Sequence, residues 1–220
     1  MNPLLKIMLI LASIFASTFI IIKSTGLISI EIIENWLIQA KLINRYYVAA
    51  IIILILFADL FIAVPTLTVI ILSGYFLGFT HGALMAILGV SLAGSTGYYL
   101  SYQFGDKLLK HLIKNTTEQQ KALSQFRAYG FVMILLSRAA PILPEVTACM
   151  AGASKMPKNK FMTAWLLASV PYTLIAAYAG SISTIQNPKP AIFTAIGLSL
   201  LLWISWFVFN KYFINHSKLV

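Results

Sequence analysis

Hydrophobic residues form long runs along the chain, and short polar stretches separate them. The apolar runs lie at 4–22, 46–79, 82–104, 131–156, 159–180 and 191–209. A helix that crosses a bilayer needs about 20 consecutive apolar residues. The pattern therefore predicts an all-α integral membrane protein.

Residues 1–45 are predicted to form an N-terminal transmembrane helix and an amphipathic connector. The run at 4–22 exceeds the apolar stretch of about 7–15 residues in a cleaved signal peptide, and residues 15–17 are a poor cleavage context, so a retained helix is favoured. Residues 28–44 mix apolar and charged positions at approximately helical spacing. They fit either an interfacial helix or a solvated connector packed on the bundle.

The run at 46–79 has an unsuitable length for ordinary spans. It is too long for one span of about 20 residues and too short for two spans with a loop. Asp59 and Pro65 lie in its middle, and proline removes a backbone donor and disrupts the preceding turn. We therefore expect a broken, re-entrant pair of helices over residues 46–80, with the break buried in protein or lining a wet cavity.

The run at 131–156 has the same character and is predicted to form a second re-entrant hairpin. Arg138 and Glu145 lie among apolar residues, and Pro141 and Pro144 interrupt the run. An ionisable residue within a membrane segment is a functional-site hypothesis by default.

The two hairpins match position by position. In each copy a charged residue precedes a proline by six residues, a threonine follows that proline by three, and a glycine follows it by eight or nine. The matched pairs are Asp59 and Arg138, Pro65 and Pro144, Thr68 and Thr147, and Gly74 and Gly152. Inverted repeats of broken helices are typical of transporters, with the site at the repeat interface.

The remaining predicted elements complete a core at 46–180. They are a helix at 82–105, surface helices at 106–130, a helix at 158–180 and a C-terminal transmembrane helix at 191–210. The predicted fold is thus an inverted repeat of two re-entrant helical hairpins plus about four transmembrane helices.

The distribution of basic residues predicts the topology. If residues 131–156 enter and leave on one side, eleven Lys and Arg residues share that side, and four lie on the other (Lys23, Lys41, Arg45 and Lys189). The positive-inside rule then places both termini in the cytoplasm.

Composition agrees with a membrane protein and excludes several other classes. Hydrophobic residues make up 60% of the chain and charged residues 10%, against about 25% in a soluble domain. The net charge of +10 comes from basic residues at the ends of apolar runs, and no nucleic-acid-binding motif is present. With one cysteine and three scattered histidines, we expect no metal site and no cofactor.

The candidate functional residues are Asp59, Arg138 and Glu145. Each costs about 2.5–3.5 kcal/mol inside a membrane unless it is paired or hydrated. One interpretation is a buried Asp59–Arg138 ion pair that locks the hairpins together. In the other, Arg138 binds an anionic head group, and Asp59 or Glu145 accepts and releases a proton because a low dielectric disfavours the charged carboxylate.

Other residues of the two breaks support such a site. Helix N-termini after Pro65 and Pro144 would direct positive dipole ends towards an anion. The hydroxyls of Thr66, Thr68 and Thr147 are candidates for bonding either the freed backbone or a head group, and the backbone role is favoured.

Three segments resemble the DedA / SNARE-associated (VTT-domain) membrane proteins. They are LSGYFLG at 72–78, LGVSLAGSTGYYLSYQFG at 88–105 and SRAAPILP…AGASKMPKNKF at 137–161. The most specific part is the arrangement of Arg138, Pro141, Pro144, Gly152 and Phe161. The resemblance extends over residues 58–180.

This resemblance implies two opposed re-entrant helices and the movement of lipids or polyprenyl phosphates across or between leaflets. It also implies dependence on the proton-motive force, with functional acidic residues in the first hairpin and arginines in the second, to which Asp59 and Arg138 correspond. Two features depart from the DedA branch. In the second hairpin, Pro144 and Glu145 stand where that branch has a second arginine, and in the first hairpin, Thr66 and Leu67 stand where it often has an acidic residue. The chain therefore looks closer to the branch with a PxxP-type second hairpin.

The function predicted from the sequence is translocation of lipids or lipid-linked phosphates, with protons as the candidate coupling ion, in a bacterial inner (plasma) membrane. A small-solute or ion transporter of the same architecture is the first alternative, and a sealed polar cavity would favour it. A non-transporting membrane-organising protein is the second. An enzyme is not expected, because no nucleophile–base pair or metal-ligand set is visible. The sequence leaves a homo-oligomer open.

Overall fold

The chain is helical in all its regular elements across the residues that the structure describes. The structure is a computed structural model, and it describes residues 3–25, 30–62, 64–112, 115–140, 142–184 and 187–209. The helices are α1 (Pro3–Thr25), α2 (Ile30–Ile43), α3 (Arg45–Ala58), α4 (Thr66–Leu77), α5 (Phe79–Leu112), α6 (Thr116–Leu136), α7 (Leu143–Ala153), α8 (Lys158–Ser181) and α9 (Lys189–Phe209). The predicted all-α class is confirmed.

The helices fall into long and short members. By length and composition, Phe79–Gly105 of α5 and Lys158–Ser181 of α8 are apolar enough to cross a membrane, with 27 and 24 residues. At 1.5 Å per residue both exceed the hydrocarbon thickness of about 30 Å. By contrast, α3, α4 and α7 have 14, 12 and 11 residues. They reach only about 16–21 Å and are too short to cross alone.

The polar stretch at 106–130 differs from the separate surface helices expected there. Its first part continues α5 to Leu112, and its second part begins α6, which runs on into the apolar residues up to Leu136. No proline interrupts either helix. Asn115 caps the start of α6, since its side-chain oxygen accepts hydrogen bonds from the backbone N–H groups of Thr117 (3.0 Å) and Glu118 (3.3 Å).

Two breaks interrupt the helices at corresponding places. The first separates α3 from α4, which begins directly after Pro65. The second separates α6 from α7 and contains a short 3-10 turn at Ser137–Ala139. Ile142 in the second break has a φ of 77°. This left-handed conformation is unusual for a β-branched residue, so the second break holds its backbone under strain.

The two halves of the chain pack on each other reciprocally. Helix α4 of the first half packs on α8 of the second, and α7 of the second half packs on α5 of the first. Glycines permit both contacts: Gly74 and Gly180 at α4–α8, and Gly105 and Gly152 at α5–α7. A Cβ atom at Gly74 would lie 1.9 Å from the carbonyl oxygen of Ala177, and one at Gly152 would lie 2.2 Å from that of Tyr98. This exchange of partners is what a twofold relation between two copies produces.

The ends of the segment that contains the second break lie together. The Arg127 Nε atom donates to the carbonyl of Ser154 at 2.8 Å, which joins α6 to the end of α7. At the start of α6, Lys6 and Glu118 form an ion pair of 2.9 Å that joins α1 to α6. These two contacts tie α6 to α7 and to α1.

We predict that Gly74→Ala and Gly152→Ala each destabilise the protein by about 1–3 kcal/mol, because the added methyl group meets backbone that cannot move aside. Gly197→Ala in α9 is the matched control, since nothing lies within 4 Å of its Cβ position. It should be neutral or stabilising by up to about 1 kcal/mol. The measurement is the thermal unfolding midpoint of each purified variant. Equal midpoints for Gly152→Ala and Gly197→Ala would contradict the packing described here.

Candidate functional site

A cavity of about 430 Å³ lies where the two breaks meet. Residues of both breaks, of α8 and of α9 line it. Most of its wall is apolar, and the polar members are Asp59, Thr66, Thr68, Arg138, Glu145, Tyr172 and Ser199. The three ionisable residues singled out in the sequence thus share one cavity.

Asp59 organises the first break. It is buried, with 6% of its surface exposed. Its Oδ1 atom accepts a hydrogen bond from the Val64 backbone N–H at 2.8 Å, and its Oδ2 atom accepts one from the Thr66 hydroxyl at 2.5 Å. The two donors flank Pro65 at the start of α4. The carboxylate therefore satisfies polar groups that the interrupted helix leaves without partners.

Arg138 is held on one face of α8. Its Nη2 atom donates to the Ser169 hydroxyl at 2.9 Å. Its guanidinium carbon lies 5.1 Å from the ring centre of Trp165 and 5.7 Å from that of Tyr172. Both distances fall within the range of cation–π attraction. Since a guanidinium has five N–H donors and the described residues engage the Nη2 group, the fork keeps hydrogen-bonding capacity towards the cavity.

Glu145 lies in the first turn of α7, where the helix dipole favours a negative charge. Its carboxyl lines the same cavity as that of Asp59, and both carboxyls interact electrostatically with Arg138. Two adjacent carboxylates repel each other, and one shared proton converts that repulsion into a hydrogen bond. The cavity therefore combines the guanidinium of Arg138 with two carboxyl groups.

The ion-pair interpretation of Asp59 and Arg138 does not describe this site. Within the described ranges no ion pair joins Arg138 to a carboxylate, and Lys6–Glu118 is the pair that forms. Each partner is held by other groups instead: Asp59 by Val64 and Thr66, and Arg138 by the face of α8.

The other residues proposed from the sequence divide into two groups. Pro65, Pro144 and Thr68 line the cavity. The Thr147 hydroxyl is buried and donates to the Pro144 carbonyl one turn earlier in α7 at 3.0 Å, so it bonds to the helix backbone. Gly74 and Gly152 lie away from the cavity at the α4–α8 and α5–α7 contacts. Pro141 lies outside the described residues.

Sequence reasoning did not identify the residues of α8 and α9 at the site. Trp165, Ser169 and Tyr172 follow one another at helical spacing on α8, so a polar and aromatic stripe on an apolar helix was the available signal. Ser199, Leu202 and Trp203 extend the cavity wall along α9. They lie in an apolar run that carries no charge to mark them.

The architecture and the site define a class before any comparison. Two of the described helices are long and apolar enough to cross a membrane, and a cavity with charged residues lies between interrupted helices, an arrangement consistent with a helical membrane protein. The VTT domain family matches residues 64–182. The chain therefore belongs to the VTT domain (DedA) family, and the resemblance seen in the sequence is confirmed. The match includes α4, α7, the second break and α8, and it begins after α3.

A curated relative is undecaprenyl phosphate transporter A of Bacillus subtilis (strain 168), which is 24% identical over 126 residues. The match covers 53% of this chain and 64% of the relative, so the chain spans slightly less than two thirds of the relative's length. No solved structure matches the chain.

We predict that Asp59→Ala destabilises the protein by about 2–3 kcal/mol, because it leaves the buried Val64 N–H without an acceptor and removes the bond to Thr66. Asp59→Asn should cost less, since its amide oxygen still accepts from Val64. The thermal unfolding midpoints of both variants in detergent provide the measurement. A midpoint for Asp59→Ala equal to that of the wild type would show that the carboxylate does not hold the break.

Proposed function

We propose that the protein translocates lipids whose head group carries a phosphate, and that protons drive the movement. The observation that carries this proposal is the position of Arg138, whose guanidinium faces a cavity beside two adjoining carboxyls. A guanidinium binds phosphate through parallel N–H···O bonds, and a low-dielectric wall strengthens them. The name of the Bacillus relative, a transporter of undecaprenyl phosphate, agrees with such a cargo.

The wall of the cavity favours a lipid over a small polar solute. Trp203 of α9 lines the cavity while 62% of its surface is exposed, so the cavity reaches the outer face of the helix bundle there. Leu67, Ile142 and Leu202 add apolar wall. A head group can then occupy the polar interior while its acyl or prenyl chain remains among the lipids outside.

We further propose that residues 46–80 and residues 131–156 form two re-entrant hairpins of opposite orientation in a bacterial inner membrane, with both termini cytoplasmic. The shortness of α3, α4 and α7 supports this arrangement, because a helix of about 16–21 Å ends inside the bilayer. The contact between Arg127 and Ser154 supports entry and exit of the second hairpin on one side. The reciprocal packing of α4 on α8 and of α7 on α5 supports the inverted relation.

Proton coupling follows from the charge of the cavity. With one proton shared by Asp59 and Glu145, these carboxyls and Arg138 sum to zero charge. Without it they sum to minus one, and a phosphate is repelled. Because linkage is reciprocal, a site that binds phosphate more tightly when protonated also binds its proton more tightly when phosphate is present. Lipid and proton therefore bind together and leave together.

We predict that Arg138→Ala slows translocation of a phosphate-bearing lipid in proteoliposomes by about tenfold or more, because a charge-assisted hydrogen bond contributes about 1.5–3 kcal/mol. Ser169→Ala should have a smaller effect, since it removes only the bond that orients the guanidinium. Fluorescent phospholipid and polyprenyl phosphate are assayed in parallel by head-group accessibility. The control is Arg45→Ala, which removes an exposed arginine outside the cavity. Wild-type protein that moves neither lipid, or folded Arg138→Ala that matches the wild type, contradicts the proposal.

We also predict that binding of the phosphate lipid to wild-type protein weakens as pH rises, because loss of the shared proton adds a negative charge beside Arg138. In Glu145→Gln a single carboxylate remains opposite Arg138, so binding should vary less with pH and translocation should no longer respond to a pH gradient. Glu118→Gln removes a partly exposed carboxylate on α6 and is the control. A pH dependence that persists unchanged in Glu145→Gln argues against the carboxyl pair.

A further inference from the structure

Three residues of α8 surround the Arg138 side chain, and they differ in what else they contact. The Trp165 ring nitrogen donates to the Val90 carbonyl at 3.2 Å, and Trp165 is buried and does not line the cavity. Ser169 is buried as well, and its hydroxyl accepts the hydrogen bond from Arg138. Tyr172, three residues further along, is the member of this set that lines the cavity. Its side chain therefore borders both the guanidinium and any molecule that occupies the cavity.

The ring of Tyr172 is held by two kinds of neighbour. It packs against the buried apolar cluster formed mainly by α3, α4 and α5. Its centre also lies 5.7 Å from the guanidinium carbon of Arg138, within the range of cation–π attraction. A phenol oxygen lies in the plane of its ring, so a ring held in this way fixes the position of its hydroxyl. The fold thus sets where this polar group lies.

The hydroxyl of Tyr172 makes no hydrogen bond to the residues that the structure describes. It interacts electrostatically with both Arg138 and Asp59, which line the same cavity. Tyr172 is partly buried, and a tyrosine hydroxyl away from water usually has a hydrogen-bond partner. A molecule bound in the cavity can supply that partner.

The chemistry of a phosphate at Arg138 fits such a hydroxyl. A guanidinium binds two phosphate oxygens through parallel N–H···O bonds, and any other phosphate oxygen then needs a donor elsewhere. A hydroxyl donates a hydrogen bond without adding charge. This property suits the cavity, because a second cation there would interact with the Asp59 and Glu145 carboxyls as well as with the phosphate.

We infer that Tyr172 is a second phosphate-binding residue, whose hydroxyl donates a hydrogen bond to an oxygen of the head group that Arg138 binds. The inference rests on the proposed function, since that function places a phosphate at the guanidinium. The Tyr172 ring keeps its separate contact with Arg138 on the face of α8. The ring therefore acts on the protein and the hydroxyl acts on the cargo, and the two roles can be separated by substitution.

Equilibrium binding of dodecyl phosphate to the purified protein in nonionic detergent tests this inference, with dodecanol as the comparison that lacks the phosphate. Tyr172→Phe keeps the ring and removes the hydroxyl. Its affinity for dodecyl phosphate should fall about tenfold, because a hydrogen bond to a charged group is lost, while its affinity for dodecanol should not change. Tyr172→Leu also removes the ring and should weaken phosphate binding further. The control is Tyr178→Phe, which removes an exposed hydroxyl of α8 outside the cavity and should bind as the wild type does.

The unfolding midpoint without ligand separates binding from a structural role. Tyr172→Phe should keep the wild-type midpoint, because the hydroxyl bonds to none of the described residues. A lowered midpoint would show that the hydroxyl supports the fold and would overturn the inference. An equal loss of affinity in Tyr178→Phe would overturn it too, since the effect would then not belong to the cavity.

The Arg138→Ala variant, assayed in parallel, distinguishes failure of this inference from failure of the proposed function. If Tyr172→Phe binds dodecyl phosphate as the wild type does and Arg138→Ala binds it more weakly, the inference is wrong and the proposed function stands. If the wild type and Arg138→Ala bind it equally, the phosphate does not lie at the guanidinium. That result would contradict the proposed function and the inference together.

Discussion

The two hydrogen bonds accepted by the Asp59 carboxylate are the interaction on which the rest of the site depends. An interrupted helix at membrane depth has backbone groups that neither water nor lipid can satisfy. Asp59 meets that demand from within the break, through the Val64 N–H and the Thr66 hydroxyl. Because these bonds set where α4 begins, they also set the position of the cavity wall. Asp59 also lines the cavity together with Glu145 and Arg138, so one carboxylate both supports the fold and borders the candidate site.

The second break is held by different means. Thr147 returns a bond to the Pro144 carbonyl, Ile142 takes up a strained conformation, and Arg138 lies against the face of α8. Neither charged residue neutralises the other by direct pairing. In the first break, the Asp59 carboxylate already accepts hydrogen bonds from its own segment. In the second break, the Arg138 guanidinium has N–H donors that the described residues do not engage. A phosphate group suits such a site, because it accepts hydrogen bonds from the guanidinium and leaves the hydrogen bonds of Asp59 intact.

The sequence predicted the parts of the fold that depend on local chemistry. Pro65 and the segment at 137–144 interrupt apolar runs, which marks the two breaks. An isolated charge is costly in a membrane, so the charged residues beside the breaks were expected to lie together in one cavity. The helix ends around 106–130 were less predictable, because polar composition does not end a helix that lacks a proline or a glycine cap. Ser169 and Trp203 were not predicted because their roles arise from contacts between distant elements. Gly74 and Gly152 were predicted as a matched pair at the site, and their surroundings give each of them a packing role.

The reciprocal packing of the two halves has a consequence for the order in which the protein is made. Helix α4 is synthesised first, but its glycine-bearing face fits the backbone of α8, which follows 80 residues later in the chain. Until then that face, and the break that Asp59 supports, lack their final neighbour. Neither half, expressed alone, contains the surface that would complete it.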